Sequence, residues 1–226
     1  MITNKTVIIS CAGMGSRLGA GIPKALVEID GKSLIVRTLE LLKNVRDVRV
    51  VVGYQSEKVI EAVKKFRSDV IFVYNRDYMN NGTAASVSLA LDGAQEYFLT
   101  IDGDLIVHPE DMEKMLNTEG EFICGTKVDS ENPVKMSINE SNMVVSFSRE
   151  LGEYEWTGVT CLKTSGVQKG ERHVYQMIEP LLPKQFMYIR TKEVLKPLHY
   201  SPSKVSQNMI PNTGKVSNFL GKETLR

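Results

Sequence analysis

The chain has 226 residues, carries 28 Lys+Arg against 27 Asp+Glu for a formal net charge of +1, and is 42% hydrophobic. That balance fits one globular domain with a substantial core, and the near-neutral charge gives no reason to expect a nucleic-acid or membrane-surface partner. Cys11, Cys124 and Cys161 lie far apart in apolar segments, without the close pairing of a zinc site or a disulfide framework, so reduced core thiols are expected.

From the N-terminus, residues 1–5 lead into a short apolar run that ends in a glycine loop. The run is too short for a signal peptide or a membrane span, which gives a cytoplasmic expectation. Up to about residue 117, β-branched runs alternate with amphipathic patterns. Strands are expected at Val7–Ile9, Val48–Val52, Val70–Val73 and Tyr97–Ile101. Between them, Leu34/Ile35, Thr38 and Leu41/Leu42, and then Val59/Ile60, Val63 and Phe66, recur at helical spacing. This is the signature of βαβ units, hence an α/β fold with a mostly parallel sheet flanked by helices. Residues 118–226 read differently: β-rich segments at 121–126, 133–138, 143–148 and 159–162, a helix at about 171–182, a strand at 186–190 and a polar tail with Pro197, Pro202 and Pro211. This half should extend the same sheet within one domain, residues 1–226.

The first strand runs into Cys11-Ala12-Gly13-Met14-Gly15-Ser16-Arg17-Leu18-Gly19-Ala20-Gly21-Ile22-Pro23-Lys24. A glycine-rich turn after a buried first strand offers backbone N–H groups to a phosphate, although glycines alone also serve a tight strand-to-helix turn. Leu18 stands where a dinucleotide fingerprint needs its third glycine, and the second strand ends in Gly53-Tyr54 without a ribose-binding acid, so a Rossmann dehydrogenase fits poorly. The lysine follows proline, which is not the Gly-Lys-Ser/Thr of a P-loop. What remains is a loop presenting two cations, Arg17 and Lys24, to a polyphosphate. Further on, Asn80-Asn81-Gly82-Thr83-Ala84 opens a helix, where Asn81 or Thr83 is a natural N-cap. The fourth strand ends in Asp102-Gly103-Asp104, two carboxylates at the strand edge where open α/β sheets place their ligands.

Ala12-Gly13-Met14-Gly15-Ser16-Arg17-Leu18 with Pro23-Lys24-Ala25-Leu26 resembles the signature of the sugar-phosphate and alcohol-phosphate nucleotidyltransferases, the MobA-like superfamily with its Rossmann-like fold. The resemblance implies that Ala12, Gly13, Met14, Gly15 and Ser16 wrap a nucleoside triphosphate. By the same resemblance Arg17 contacts the phosphates being expelled and Lys24 stands at the α-phosphate. Asn81, Gly82 and Thr83 match the segment that holds a pyrimidine base, which implies CTP first and UTP next. Asp104 is implied as the ligand of Mg2+, with Asp102 behind it. In the second half Arg149 is implied at a phosphorylated or phosphonate acceptor, and Trp156 and Gly158 in its pocket. A surface role for Arg149 beside Glu150, and a core role for Trp156, are the plainer alternatives. A homodimer is admitted as the oligomer. His173 and His199 receive no catalytic role.

The resemblance breaks near the end. Where the family offers a second metal carboxylate, this chain has Tyr200-Ser201-Pro202-Ser203-Lys204, so either Asp104, water and nucleotide hold the metal, or Glu179 or Glu193 enters, or catalysis is lost. Two rivals to a nucleotidyltransferase follow. One is a nucleotide-sugar glycosyltransferase, whose Asp-x-Asp motif Asp102-Gly103-Asp104 formally supplies; the other is a nucleotide-binding pseudoenzyme.

Overall fold

The first strand, β1 (Lys5–Cys11), is buried almost throughout and sorts its side chains by alternation. Val7, Ile9 and Cys11 enter one core cluster and Ile8 the other. A strand apolar on both faces must be covered on both, as in an α/β layer structure. The structure, a computed structural model, describes residues 4–15, 21–184 and 186–192. After a 3₁₀ turn at Lys24–Leu26 come a small ribbon of β2 (Glu28–Ile29) and β3 (Lys32–Ser33), then α1 (Leu34–Leu41), β4 (Asp47–Val52), α2 (Ser56–Phe66), β5 (Ile71–Tyr74), α3 (Thr83–Leu89), β6 (Tyr97–Asp102) and α4 (Pro109–Asn117). The second half adds β7 (Phe122–Lys127), β8 (Lys135–Ile138), β9 (Met143–Ser148), β10 (Tyr154–Lys163), α5 (Val174–Ile178) and β11 (Phe186–Arg190).

Nine strands form one mixed sheet in the order β5-β4-β1-β6-β10-β7-β11-β9-β8, and β5, β4, β1 and β6 are mutually parallel. The chain steps outward from β1 to β4 and β5, then returns to the other side of β1 as β6. The crossovers therefore reverse between β1 and β6, which places a crevice at the carboxyl ends of those two strands. Helices α1, α2 and α4 pack one face through residues such as Leu39, Val59 and Met112; α3 and α5 pack the other through Val87 and Met177.

Three expectations need correction. The helix expected over 171–182 is α only for Val174–Ile178 and continues as a 3₁₀ segment, Glu179–Lys184, because Pro180 has no N–H to return to the preceding turn. The strand expected at 159–162 begins earlier, at Tyr154. Phe66, assigned to a core face, is 43% exposed. The three cysteines are buried free thiols, as expected.

Candidate active site

Backbone bonds draw the loops after β1, β4 and β6 to one edge. Tyr54 N–H donates to the Ala12 carbonyl at 3.0 Å and Gly103 N–H to the Ser10 carbonyl at 2.9 Å. Both joints need glycine: a Cβ on Gly53 would lie 2.8 Å from the Ala12 oxygen, and one on Gly103 would lie 2.4 Å from Cys11 Sγ. The far end of the glycine loop is held from α2, where Gln55 Nε2 donates to the Gly21 carbonyl at 2.8 Å. Ser16 and Arg17 lie outside the described residues, as do Glu193 and Tyr200-Ser201-Pro202-Ser203-Lys204.

Lys24 and Asp104, 80 residues apart, meet here: Nζ stands 3.1 Å from Oδ2, and both side chains are partly open to solvent. Gly15 makes room for that lysine. Its φ is +61°, and a Cβ would fall 2.7 Å from Lys24 Cγ. Gly13 has nothing within 4 Å of a notional Cβ, and Met14 is exposed, so this stretch of the loop faces open space. Asp102 is held from the other side by β10. That strand slips register between Trp156 and Thr160, and the bulge brings Gly158, at φ +90°, so close that a Cβ would stand 3.0 Å from Asp102 Oδ2. Both carboxylates act on the buried Cys11 thiol, which burial, then Asp104, then Asp102 push far above the ordinary range. Cys11 is therefore an inert thiol under the carboxylates, not a nucleophile.

The helix-opening turn differs from expectation. The N-cap of α3 is Gly82, with no side-chain cap, rather than Asn81 or Thr83. Asn81 instead faces Asn75, a side chain buried at the end of β5: Asn75 Nδ2 donates to Asn81 Oδ1 at 2.7 Å and to Ser86 Oγ at 3.0 Å, and Asn81 Nδ2 returns a bond to Asn75 Oδ1 at 3.1 Å. Gly82 N–H donates to the Glu171 carbonyl at 2.7 Å and Ala84 N–H to the Arg172 carbonyl at 3.2 Å. Those two donors are thus engaged by the chain itself. Thr83 is the first residue of α3 and is half-buried.

Of the three acceptor candidates, Gly158 abuts Asp102 as described. Trp156 is buried, and its Nε1–H donates to Thr160 Oγ1 at 3.0 Å. Its ring makes T-shaped contacts with Phe147 and with Tyr175, at centroid separations of 6.0 and 6.3 Å. Arg149 is exposed; its Nη1 donates to the Asn132 carbonyl at 3.1 Å and its guanidinium lies over the Tyr175 ring, rather than pairing with Glu150. The fold adds three neighbours to the site: Asn75, Arg172 and His173, of which only His173 was weighed from the sequence and given no catalytic role. Asn75, a polar residue directly after an apolar strand, was the most legible. Arg172 and His173 gave no local signal, since only the fold brings the 171–173 turn to α3.

Among the described residues no three His, Cys, Asp or Glu side chains gather to form a metal cage. Asp104 with Asp102 behind it nevertheless fits a hard cation that takes one or two carboxylates and completes its shell with phosphate oxygens and water. Among the described residues, the Lys24 ammonium, a carboxylate edge and an open backbone loop suit a polyphosphate.

The chain is 28% identical over 195 residues to the bifunctional protein GlmU of Methanococcus maripaludis strain S2, a match covering 84% of this chain and 46% of that protein. A second GlmU, from Methanococcus vannielii, is 29% identical over 84% of this chain and 47% of its own length. The chain thus spans about half the length of these curated relatives. In fold it resembles the inositol-1-phosphate CTP transferase from T. maritima, with a TM-score of 0.73, 21% identity and coverage of 96% and 98% of the two chains. It also resembles the CTP:phosphocholine cytidylyltransferase LicC of Streptococcus pneumoniae, with a TM-score of 0.70, 17% identity and coverage of 91% and 99%. The model of the MobA-like NTP transferase domain matches residues 7–159, from β1 through the glycine loop, Lys24 and Asp104 to the bulge at Gly158, and the chain belongs to that family.

Proposed function

We propose that this protein transfers a nucleoside monophosphate, CMP first and UMP next, from its triphosphate to a small phosphorylated or phosphonate acceptor, releasing pyrophosphate. The observation that carries the reading is the Lys24–Asp104 pair at 3.1 Å on the crevice edge, beside an open glycine loop. An acceptor phosphate oxygen attacks the α-phosphorus in line. The new P–O bond forms as the bond to the β-phosphate bridging oxygen breaks, and the electron pair leaves with pyrophosphate. An acceptor phosphate is already ionised at neutral pH, so no side-chain base is required, and the work reduces to positioning and charge neutralisation. Lys24 turns from Asp104 to the α-phosphate oxygens. Arg17, on the same loop, takes the leaving phosphates. Asp104, with Asp102 behind it, would hold Mg2+, which when bound would add to the neutralisation of the phosphates.

Because Asp104 is a single carboxylate already paired with Lys24, and one carboxylate is a poor cage, metal affinity should emerge only with the triphosphate. Magnesium titrated calorimetrically into the free protein is expected to bind weakly, and into the CTP complex at least tenfold more tightly. Tight binding to the free protein that survives Asp104→Asn would remove Asp104 as ligand. The pyrimidine preference rests on the Gly82-Thr83 resemblance. Since the Gly82 and Ala84 amides are engaged with the 171–172 backbone, Thr83 and the remaining backbone groups must read the base. Pyrophosphate release from each common triphosphate, assayed against sugar-1-phosphates, phosphocholine and aminoethylphosphonate, tests the whole reading. Release with one pyrimidine triphosphate and one acceptor class is expected. A purine preference would retire the base assignment. Nucleotide binding without release would favour the pseudoenzyme, and nucleoside diphosphate release from a nucleotide sugar the glycosyltransferase.

A further inference from the structure

The strand at one end of the sheet is left open. Among the described residues β5 pairs only with β4. Asn75 N–H donates to the Val52 carbonyl at 2.8 Å. In a parallel ladder the backbone groups turn alternately toward and away from the neighbour, so the N–H and C=O of Phe72 and Tyr74 point outward. The strand carries neither of two common protections of such an edge: Ile71, Phe72, Val73 and Tyr74 include no charge and no proline. The other end of the sheet is different, since β8 begins at Lys135 and pairs with β10 as well as β9.

Side chains on both faces of β5 also lack cover. Phe72 packs in the α2 layer and Val73 in the α3 layer, so by alternation Tyr74 belongs to the first and Ile71 to the second. Tyr74 is 53% and Ile71 50% exposed, which leaves half of each in solvent. A groove runs along each face. One, beside α2, is lined by Glu57, Ile60, Glu61, Lys64, Lys65 and Tyr74; the other, beside α3, has Ala85 and the exposed Leu89 on its wall. An edge with free backbone groups between two grooves is the form that accepts an added strand, whose backbone bonds to the edge while its alternate side chains enter the grooves.

Charge identifies the strand. Among the residues lining the α2 groove, the acids Glu57 and Glu61 come first along the helix and the bases Lys64 and Lys65 last. Turned end for end, that pattern is its own complement. A two-fold axis through the β5 edge sets Glu57 and Glu61 of each copy against Lys64 and Lys65 of the other. Glu61 and Lys65 also meet within one chain at 2.7 Å, but an exposed pair of this kind contributes little and can exchange partners. We propose that two copies of this chain join antiparallel through β5, merging their sheets into one and laying the α2 helices antiparallel across the axis. Each copy then fills the other's grooves with Ile71 and Tyr74. The pairing stands independently of the reaction assigned to the crevice.

Analytical ultracentrifugation of the full chain tests it. The parent is expected to sediment as a concentration-dependent dimer between about 1 and 100 µM. Glu57→Lys/Glu61→Lys makes the groove basic throughout, and Lys64→Glu/Lys65→Glu makes it acidic throughout. Each double variant alone sets like charges together and should weaken its dimer by about 100-fold. Mixed in equal amounts the two should reassociate with parental affinity, because every basic groove then meets an acidic one. Ile71→Lys, at an exposed position, places a charge on the edge and should likewise yield monomer, with circular dichroism confirming that each variant folds. A parent still monomeric at about 100 µM, a dimer as tight in Ile71→Lys as in the parent, or a mixture of the charge variants no tighter than its components overturns the proposal.

Discussion

Two glycines in this site are there for the side chains opposite them. Gly15 leaves space for the Lys24 stem and Gly158 for the Asp102 carboxylate, both at positive φ where a Cβ is strained. Alanine at either position should cost about 1–3 kcal/mol of stability from backbone strain alone. Turnover should suffer beyond that, since displacing a reacting group by an ångström can cost on the order of 100-fold. Gly158→Ala and Gly15→Ala, compared by thermal melting and by kcat, are expected to remain folded and to lose at least tenfold in kcat. Gly21→Ala, at φ +65° but with nothing within 4 Å, provides the contrast: the same strain without the steric contact, and kcat within a few-fold of the parent. Equal losses at all three positions would mean that loop conformation, not the space around Lys24 and Asp102, is what matters.

At the scale of single elements, the turn into α3 shows how local sequence and tertiary packing divide the work. Gly82 is fixed by the 171–172 backbone, because a Cβ there would fall 1.9 Å from the Arg172 oxygen. Gly82→Ala should therefore destabilise the fold by about 1–3 kcal/mol through overpacking, whatever the turn does for a base. Asn75 is the other support. Asn75→Ala would leave the Asp77 N–H, the Asn81 amide and Ser86 Oγ without their partner, a loss of about 1–3 kcal/mol by chemical denaturation. The loosened turn should raise the KM for nucleotide while leaving kcat within a few-fold, and an unchanged KM would limit Asn75 to a structural role. These elements also mark where the sequence is legible. The four parallel strands could be read from their β-branched runs, and Lys24 and Asp104 from their loops, because strand alternation and edge position are local properties. The bulge at Thr157–Val159, the arrival of Arg172 at Gly82 and the amide pair of Asn75 and Asn81 depend on which strands and turns become neighbours. No window of sequence carries that. Prolines at 180 and 183 did carry a local signal that the helix pattern at 171–182 obscured.

For the molecule as a whole, the sheet has a working edge and a structural one. Loops after β1, β4 and β6 build the site at the carboxyl edge. At the amino edge, buried cations close the carbonyl ends of helices running against the strands. Lys5 Nζ donates to the carbonyls of Met115 and Leu116 in the last turn of α4 and of Thr118 just beyond it, and Arg49 donates to those of Ala90, Asp92 and Gly93 after α3 while paired with Asp47. Such cations complement the negative helix end, and removing one partner of a buried pair is costly. Arg49→Leu is expected to lower unfolding free energy by on the order of 3 kcal/mol, read by denaturant titration. Per folded molecule its activity should equal the parent's, and a selective loss of activity would contradict this division between the edges. The central claim, that chemistry happens at the Lys24–Asp104 pair, is tested most directly by single-turnover pyrophosphate release from Lys24→Ala, Asp104→Asn and the double variant. Each single change is expected to slow release by on the order of 100-fold or more with the fold intact, and the double change to add far less than the product of the two, because the residues serve one reacting phosphate. Parent rates in both single variants would contradict the account.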